Sequence, residues 1–182
     1  ALGKKLSILI SHGHGDHFDD RLLSIFDKET LIITADFKSP SVVIRIKKLG
    51  FTNIKTVGED EAKINDFLIS SYIVEDFSHD DAAYLIRNDV GAVIHTNDNW
   101  REFDSKHEQL LIERTSSYPK ASVLLFSQTN SASGYPLNYR NFSESEKLSL
   151  LRTKVAKMVE GGLRNAEKLG LDKMYSYAGF AA

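Results

Sequence analysis

Short apolar runs alternate along this chain with segments whose apolar residues recur at helical spacing. Leu6–Ile10 is an apolar run of the kind a buried strand shows. Phe18–Lys28 carries Leu22, Leu23, Ile25 and Phe26 at helical spacing. Leu31–Thr34 and Ile54–Val57 predict short strands. Between them Ser39-Pro40 starts a helix, with Ser as N-cap and Pro at the first helical position. Val43, Ile44 and Leu49 lie on that helix, and Gly50 stops it. Phe67–Val74 and Ala83–Arg87 predict paired strands, Gly91–Thr96 and Ser122–Ser127 further ones. Ser143 with Glu146 fits a capping box. It opens the longest helical pattern, with Leu148, Leu151, Val155, Met158, Val159, Leu163 and Ala166 on one broad face. Gly161-Gly162 predicts a kink or break in it, and Gly170 its end. Strands alternating with helices indicate an α/β fold.

Composition narrows the class. The 182 residues fit one domain, and 42% hydrophobic with 26% charged residues is globular composition. A net charge of −2 argues against a dedicated binder of nucleic acid or of an anionic membrane, since both need a basic surface. No apolar run approaches the roughly 20 residues of a membrane span. The chain has no cysteine, so it holds no disulfide, thiol nucleophile, cysteine-type zinc site or iron–sulfur cluster of its own. A strand pattern starting almost at Ala1 suggests a fragment of a longer polypeptide, and a cytoplasmic location is the expectation.

Candidate chemistry concentrates just after the first strand. Ser11-His12-Gly13-His14-Gly15-Asp16-His17 places three of the six histidines and one aspartate within six residues. Imidazoles and a carboxylate suit zinc or iron, and a loop at a strand end can turn them to one point. Gly13 and Gly15 permit unusual backbone angles and close approach. A solvated histidine-rich loop or a tag remnant is the plain alternative, but a tag does not follow a buried strand. Downstream, His79 lies in Asp76-Phe77-Ser78-His79-Asp80-Asp81 and Asp98 in His95-Thr96-Asn97-Asp98-Asn99-Trp100. Alone, His79 reads as a loop histidine and Asp98 as a turn or capping residue. Each gains weight by following a strand.

The H-x-H-x-D-H pattern after a buried strand, with a later His and a later Asp each after a strand, resembles the metallo-β-lactamase superfamily. The resemblance implies an αββα sandwich over residues 1–182, lacking its first strands, with a metal site at the sheet edge. It implies that His12, His14 and His79 hold a first metal, and that Asp16, His17 and Asp98 hold a second, with Asp98 bridging. Superfamily members hydrolyse lactams, thioesters, phosphodiesters and lactones, and some use iron for redox chemistry. Asp20-Arg21-Leu22-Leu23, Leu49-Gly50-Phe51-Thr52-Asn53-Ile54, Ser131-Ala132-Ser133-Gly134-Tyr135-Pro136 and Tyr177-Ala178-Gly179-Phe180 are further similar to the lactamase-like domain of the CMP-N-acetylneuraminate hydroxylases. That implies a non-haem iron oxygenase with one or two irons and a small substrate, nucleotide-sugar-like or otherwise acylated. Its electrons would come from a separate domain, such as a Rieske domain, or from a partner protein. The departure from the superfamily pattern is the late histidine: the last one here is His107. A second site of Asp16, His17 and Asp98 alone is weak or open. The alternative is a zinc hydrolase of a lactone, amide or phosphodiester, with Asp16 as general base or orienting the hydroxide, and the third reading is a non-catalytic scaffold.

Other residues carry weaker signals. Trp100 could wall the site, and Arg101, Lys106 and His107 could bind an anion, although a solvated segment explains them more simply. Ser133 and Tyr135 sit in a Gly/Pro turn, and Tyr175 and Tyr177 are expected to pack under the last helix. Lys147, Arg152, Lys154, Lys157, Arg164 and Lys168 alternate there with glutamates, which reads as a solvated face and not a nucleic-acid patch.

Overall fold

A computed structural model describes residues 6–73, 81–98, 103–129 and 134–177. The chain divides into two compact units, Ala1–Ile86 and Arg87–Ala182. In the first, β1 (Ser7–Ile10), β2 (Leu31–Ala35) and β3 (Ile54–Val57) form a parallel sheet in that order. The helices α1 (Asp20–Ser24) and α2 (Ser41–Lys48) are its crossovers. A hairpin of β4 (Ala62–Ile64) and β5 (Phe67–Ile73) turns at Asn65, which takes a left-handed φ of 52°, and β6 (Ala82–Arg87) lies beside β5.

The period of two along β2 shows how this unit is layered. Ile32 packs with Ile10, Phe18, Leu23, Val42, Ile46 and Phe51, the helix side of the sheet. Its neighbour Ile33 packs with Val57, Ile64, Ile69, Ala82 and Tyr84, the side facing the second group of strands. A strand covered on both faces needs a mostly apolar run, and β2 has one in Leu31-Ile32-Ile33-Thr34-Ala35.

The second unit is built on the parallel strands β7 (Ala92–His95), β8 (Val123–Gln128) and β9 (Tyr175–Tyr177). It also carries α3 (Ser105–Thr115) and the long α4 (Glu144–Lys168). Ser143 closes the expected capping box on α4, and its hydroxyl holds the Glu146 carboxyl below the usual range.

Several expectations are corrected. The helix read over Phe18–Lys28 is only α1: of the segment's apolar residues Leu23 and Phe26 reach the core, while Leu22 and Ile25 are exposed at 56% and 74%. The N-cap of α2 is Pro40 and not Ser39; Val43 and Ile44 lie on the helix, Leu49 is its C-cap, and Val42 and Ile46 form its buried face. Tyr175 and Tyr177 form the edge strand β9, where Tyr175 stacks near Phe126 and Tyr177 near His95, instead of lying under the last helix. Helix α4 runs unbroken through Gly161 and Gly162, both buried. The reason is close approach: a Cβ on Gly162 would strike the Met174 sulfur and come within 2.8 Å of the Ser127 Oγ on β8. Gly162→Ala therefore destabilises the protein by about 1–2 kcal/mol in urea titration. Overpacking outweighs the roughly 1 kcal/mol that alanine gains as a helix former.

Among the described residues no helix is long and apolar enough to cross a membrane.

Candidate metal centre

Two buried anchors fix the ends of the histidine loop. Ile10 closes β1 at 2% exposure, and Phe18 at 1% enters the helix-side core. Between them the chain makes one tight turn, with the Phe18 and His17 amides donating to the His14 carbonyl at 2.7 and 3.0 Å. Asp19 then caps α1, its Oδ1 accepting from the amides of Arg21 and Leu22.

Arg45 of α2 ties this loop from outside. It donates from Nη1 to the Gly13 carbonyl at 2.7 Å and from Nη2 to the Phe18 carbonyl at 3.1 Å. Its Nε and Nη2 both lie 2.9 Å from the Asp20 carboxylate, and its guanidinium stacks 4.1 Å over the Phe18 ring. The planar fork of arginine makes such a multi-point clamp possible.

Inside the loop, three imidazoles converge. His12 Nε2 stands 2.9 Å from His14 Nδ1. The His12 ring centroid is 4.6 Å from that of His14 and 4.1 Å from that of His17. Ser11 Oγ lies 3.1 Å from His12 Nδ1 and 2.9 Å from His17 Nδ1. Asp81, just ahead of β6, puts Oδ1 3.4 Å from His12 Nδ1. Asp16 is half exposed, its Oδ2 3.8 Å from His17 Nε2. His12 is buried and His14 exposed, so the cluster runs from core to surface.

Gly13 and Gly15 depart from the expectation. Neither has a left-handed φ, a Cβ on Gly15 would touch nothing within 4 Å, and one on Gly13 would make only ordinary contact with Val42. Gly15→Ala leaves stability within about 0.5 kcal/mol of the parent in urea titration.

Beneath the loop, Tyr84 of β6 donates its buried hydroxyl to the Ile10 carbonyl at 3.1 Å. Burial pushes this phenol far above its ordinary 10.0 and outweighs the lowering effect of its hydrogen bonds; the Asp81 charge adds to the rise. The folded state thus favours the protonated phenol. Its stabilisation is complete below pH ~10, where the unfolded phenol also stays protonated, and is lost as pH rises beyond that. Tyr84→Phe costs about 1 kcal/mol at neutral pH and flattens the alkaline fall of the urea midpoint.

Of the expected site residues, His12, His14, Asp16 and His17 come together on this loop. His79 lies outside the described residues, as do Trp100, Arg101 and Ser133. Asp98 belongs to the second unit, in the turn after β7, where Asn97 takes φ 52° and donates its amide to His95 Nδ1. His107 is no exposed anion binder: it is 5% exposed, with Nδ1 2.9 Å from the α3-capping Asp104. Sequence reasoning gave no role to Ser11, Asp81, Arg45 or Tyr84. Ser11 and Asp81 stood inside the stretches it quoted, while nothing local marked Arg45 or Tyr84.

No protein-family model matches the sequence, and no curated protein matches it. Solved structures do. CmlA, a diiron β-hydroxylase from Streptomyces venezuelae, is similar with a TM-score of 0.59 at 16% identity, over 93% of this chain and 35% of that one. YhfI from Bacillus subtilis, described as a metallo-β-lactamase fold protein, is similar with a TM-score of 0.54 at 17% identity, over 96% of this chain and 66% of that one. The fold is that of a metallo-β-lactamase. A possible metal-dependent hydrolase from Veillonella parvula DSM 2008 shares it, with a TM-score of 0.54 at 13% identity over 83% of this chain and 58% of that one. The chain thus spans about a third of the length of the hydroxylase. Within this metallo-β-lactamase fold the histidine loop leaves the C-terminal end of β1, a parallel strand, and opens toward solvent at His14 and Asp16.

Proposed function

We propose that this chain carries the metal site of a non-haem iron oxygenase that hydroxylates a small, acylated or nucleotide-sugar-like substrate. The observation that carries the metal reading is the His12–His14 pair, whose Nε2 and Nδ1 face each other at 2.9 Å. Two nitrogens bound to one ion at about 2.0–2.1 Å stand roughly 3 Å apart, so the pair fits a shared cation. The donor set fits as well. Neutral imidazoles and a carboxylate suit iron or zinc, and no thiolate is present to select a softer ion.

In this reading His12 and His14 hold one ion, and Asp16 and His17 contribute to a second. Bound iron would supply oxidising chemistry toward a C–H bond, and bound zinc an activated water. The chain's own residues do the rest. Ile10 and Phe18 bury the loop's ends, and Arg45 fixes its backbone. The half-exposed Asp16 carboxylate is placed to take a proton at Oδ2 from a group arriving from solvent. Electrons for hydroxylation would come from a domain or protein beyond this chain.

One point supports iron: a diiron β-hydroxylase shares the fold. The possible metal-dependent hydrolase of the same fold supports zinc-dependent hydrolysis as the second reading. Metal analysis and absorbance of the protein, purified without added metal or chelator, test both. Iron at one or two per chain with a visible band supports the oxygenase. Zinc alone in a colourless protein overturns it in favour of the hydrolase. Retention of no metal overturns both.

A further inference from the structure

We propose that His95 is a positioning residue: its Nδ1 lone pair holds the Asn97 amide and so sets the turn that carries Asp98. The inference rests on the metal reading above, with Asp98 in the ligand role that the superfamily resemblance implies, and extends it to a histidine outside the ligand set.

The turn follows β7 directly. Thr96 continues the β7–β8 ladder, its amide donating to the Phe126 carbonyl at 3.0 Å. At Asn97 the backbone bends to a φ of 52°, in the left-handed region that non-glycine residues enter rarely and asparagine more often than most. Asp98 comes next in the same turn. Thr96 is fully buried and Asn97 is 5% exposed, so water competes little for the backbone groups here. The Asn97 amide donates to His95 Nδ1 at 3.2 Å. Aspartate and asparagine shape Asx turns by accepting from the amide two residues on, and here an imidazole takes that part.

This contact fixes the tautomer. A backbone amide only donates, so Nδ1 offers its lone pair and carries no proton. The neutral ring then bears its proton on Nε2, and His95 acts beside the metal ligands and not as one. Packing aims the lone pair. His95 pairs in register with Phe126 of β8, and their rings stack at 17° with centroids 5.9 Å apart. The ring of Tyr177, from β9, lies 4.3 Å from that of His95. Strands β8 and β9 thus hold the ring whose nitrogen holds the turn. Loss of a group that orients a metal ligand typically costs about 10–100-fold in affinity.

Tautomer, amide exchange and metal affinity of the whole chain test this. Long-range ¹H–¹⁵N correlation spectra of the chelator-treated parent at pH ~8, where free imidazoles are neutral, distinguish Nε2–H from Nδ1–H rings. His95 is expected as Nε2–H. His95→Phe keeps a stacking ring but offers no acceptor, and His95→Asn offers an acceptor without the ring. In His95→Phe, exchange of the Asn97 amide should rise about tenfold beyond any change at the β8 amides. With zinc as probe and a chromophoric chelator as competitor, its affinity should fall about 10–100-fold. His95→Asn should recover most of both, whatever its urea midpoint. An Nδ1–H His95 in the parent overturns the proposal, and so does His95→Phe with parental exchange at Asn97. His95→Asn behaving like His95→Phe in both readouts also overturns it, since ring packing alone would then set the turn. The expected exchange with unchanged zinc affinity overturns the link from the turn to the metal. If His95→Phe does not fold, the parent spectrum and His95→Asn still decide. A turn that responds as expected in a chain that binds neither zinc nor iron overturns the metal reading instead.

Discussion

His12→Ala abolishes metal retention, with a loss beyond the roughly 100-fold that an outer-shell partner costs, and it destabilises the fold. His12 is 2% exposed and touches His14, His17, Ser11 and Asp81. Truncation removes a ligand, opens a cavity, and takes the imidazole away from the buried Asp81 carboxylate. The stability cost is about 1–3 kcal/mol, the range for disturbing one buried polar partner. His14→Ala provides the contrast. His14 is exposed, so its loss removes the facing nitrogen with little change in stability. Metal content after dialysis and urea midpoints of the two variants separate the effects. Equal stability losses would contradict the burial argument, and metal retained at parental affinity in His12→Ala would end the assignment of His12 as a ligand.

The strands were legible because their signal is local. Ile54–Val57 matches its apolar run residue for residue, and β1, β2, β7 and β8 lie within a residue or two of theirs. Helix α3 was not legible, since two of its three buried residues, His107 and Thr115, are polar and dilute the apolar period. Strands β4 and β9 have three residues each, too few for a period to show. The glycine pair in α4 misled because glycine serves close packing as well as bends. What decides between them is the neighbour across the gap, here Ser127 and Met174.

The site divides in the same way. His12, His14, Asp16 and His17 share one loop, so their spacing alone placed them together. The groups that orient and hold this loop arrive from β6 and α2 through the fold. The contact of Arg45 with Gly13 spans 32 residues, and no local pattern encodes it.

That contact leads to the second large effect. Arg45→Ala loosens the histidine loop and costs about 2–3 kcal/mol. The guanidinium donates to two carbonyls, at Gly13 and Phe18, that bracket the turn carrying His14, Asp16 and His17. Hydrogen bonds from a charged donor are worth about 1.5–3 kcal/mol each when shielded. The Arg45 side chain is 36% exposed and its Asp20 partner 50%, so the ion pair itself adds little, and the sum stays near the value of one strong bond. Arg45→Lys should not rescue the loop, because a single ammonium cannot span both carbonyls and stack flat on Phe18. Hydrogen exchange locates the effect. The Phe18 and His17 amides, which donate to the His14 carbonyl, should lose protection in both variants, while amides of β2 change only with global stability. The metal affinity of Arg45→Lys should fall further than its urea midpoint explains, since a loosened loop must be ordered again on binding. Unchanged exchange at Phe18 and His17 would show that Ile10 and Phe18, held in the core, suffice to set the loop without the clamp.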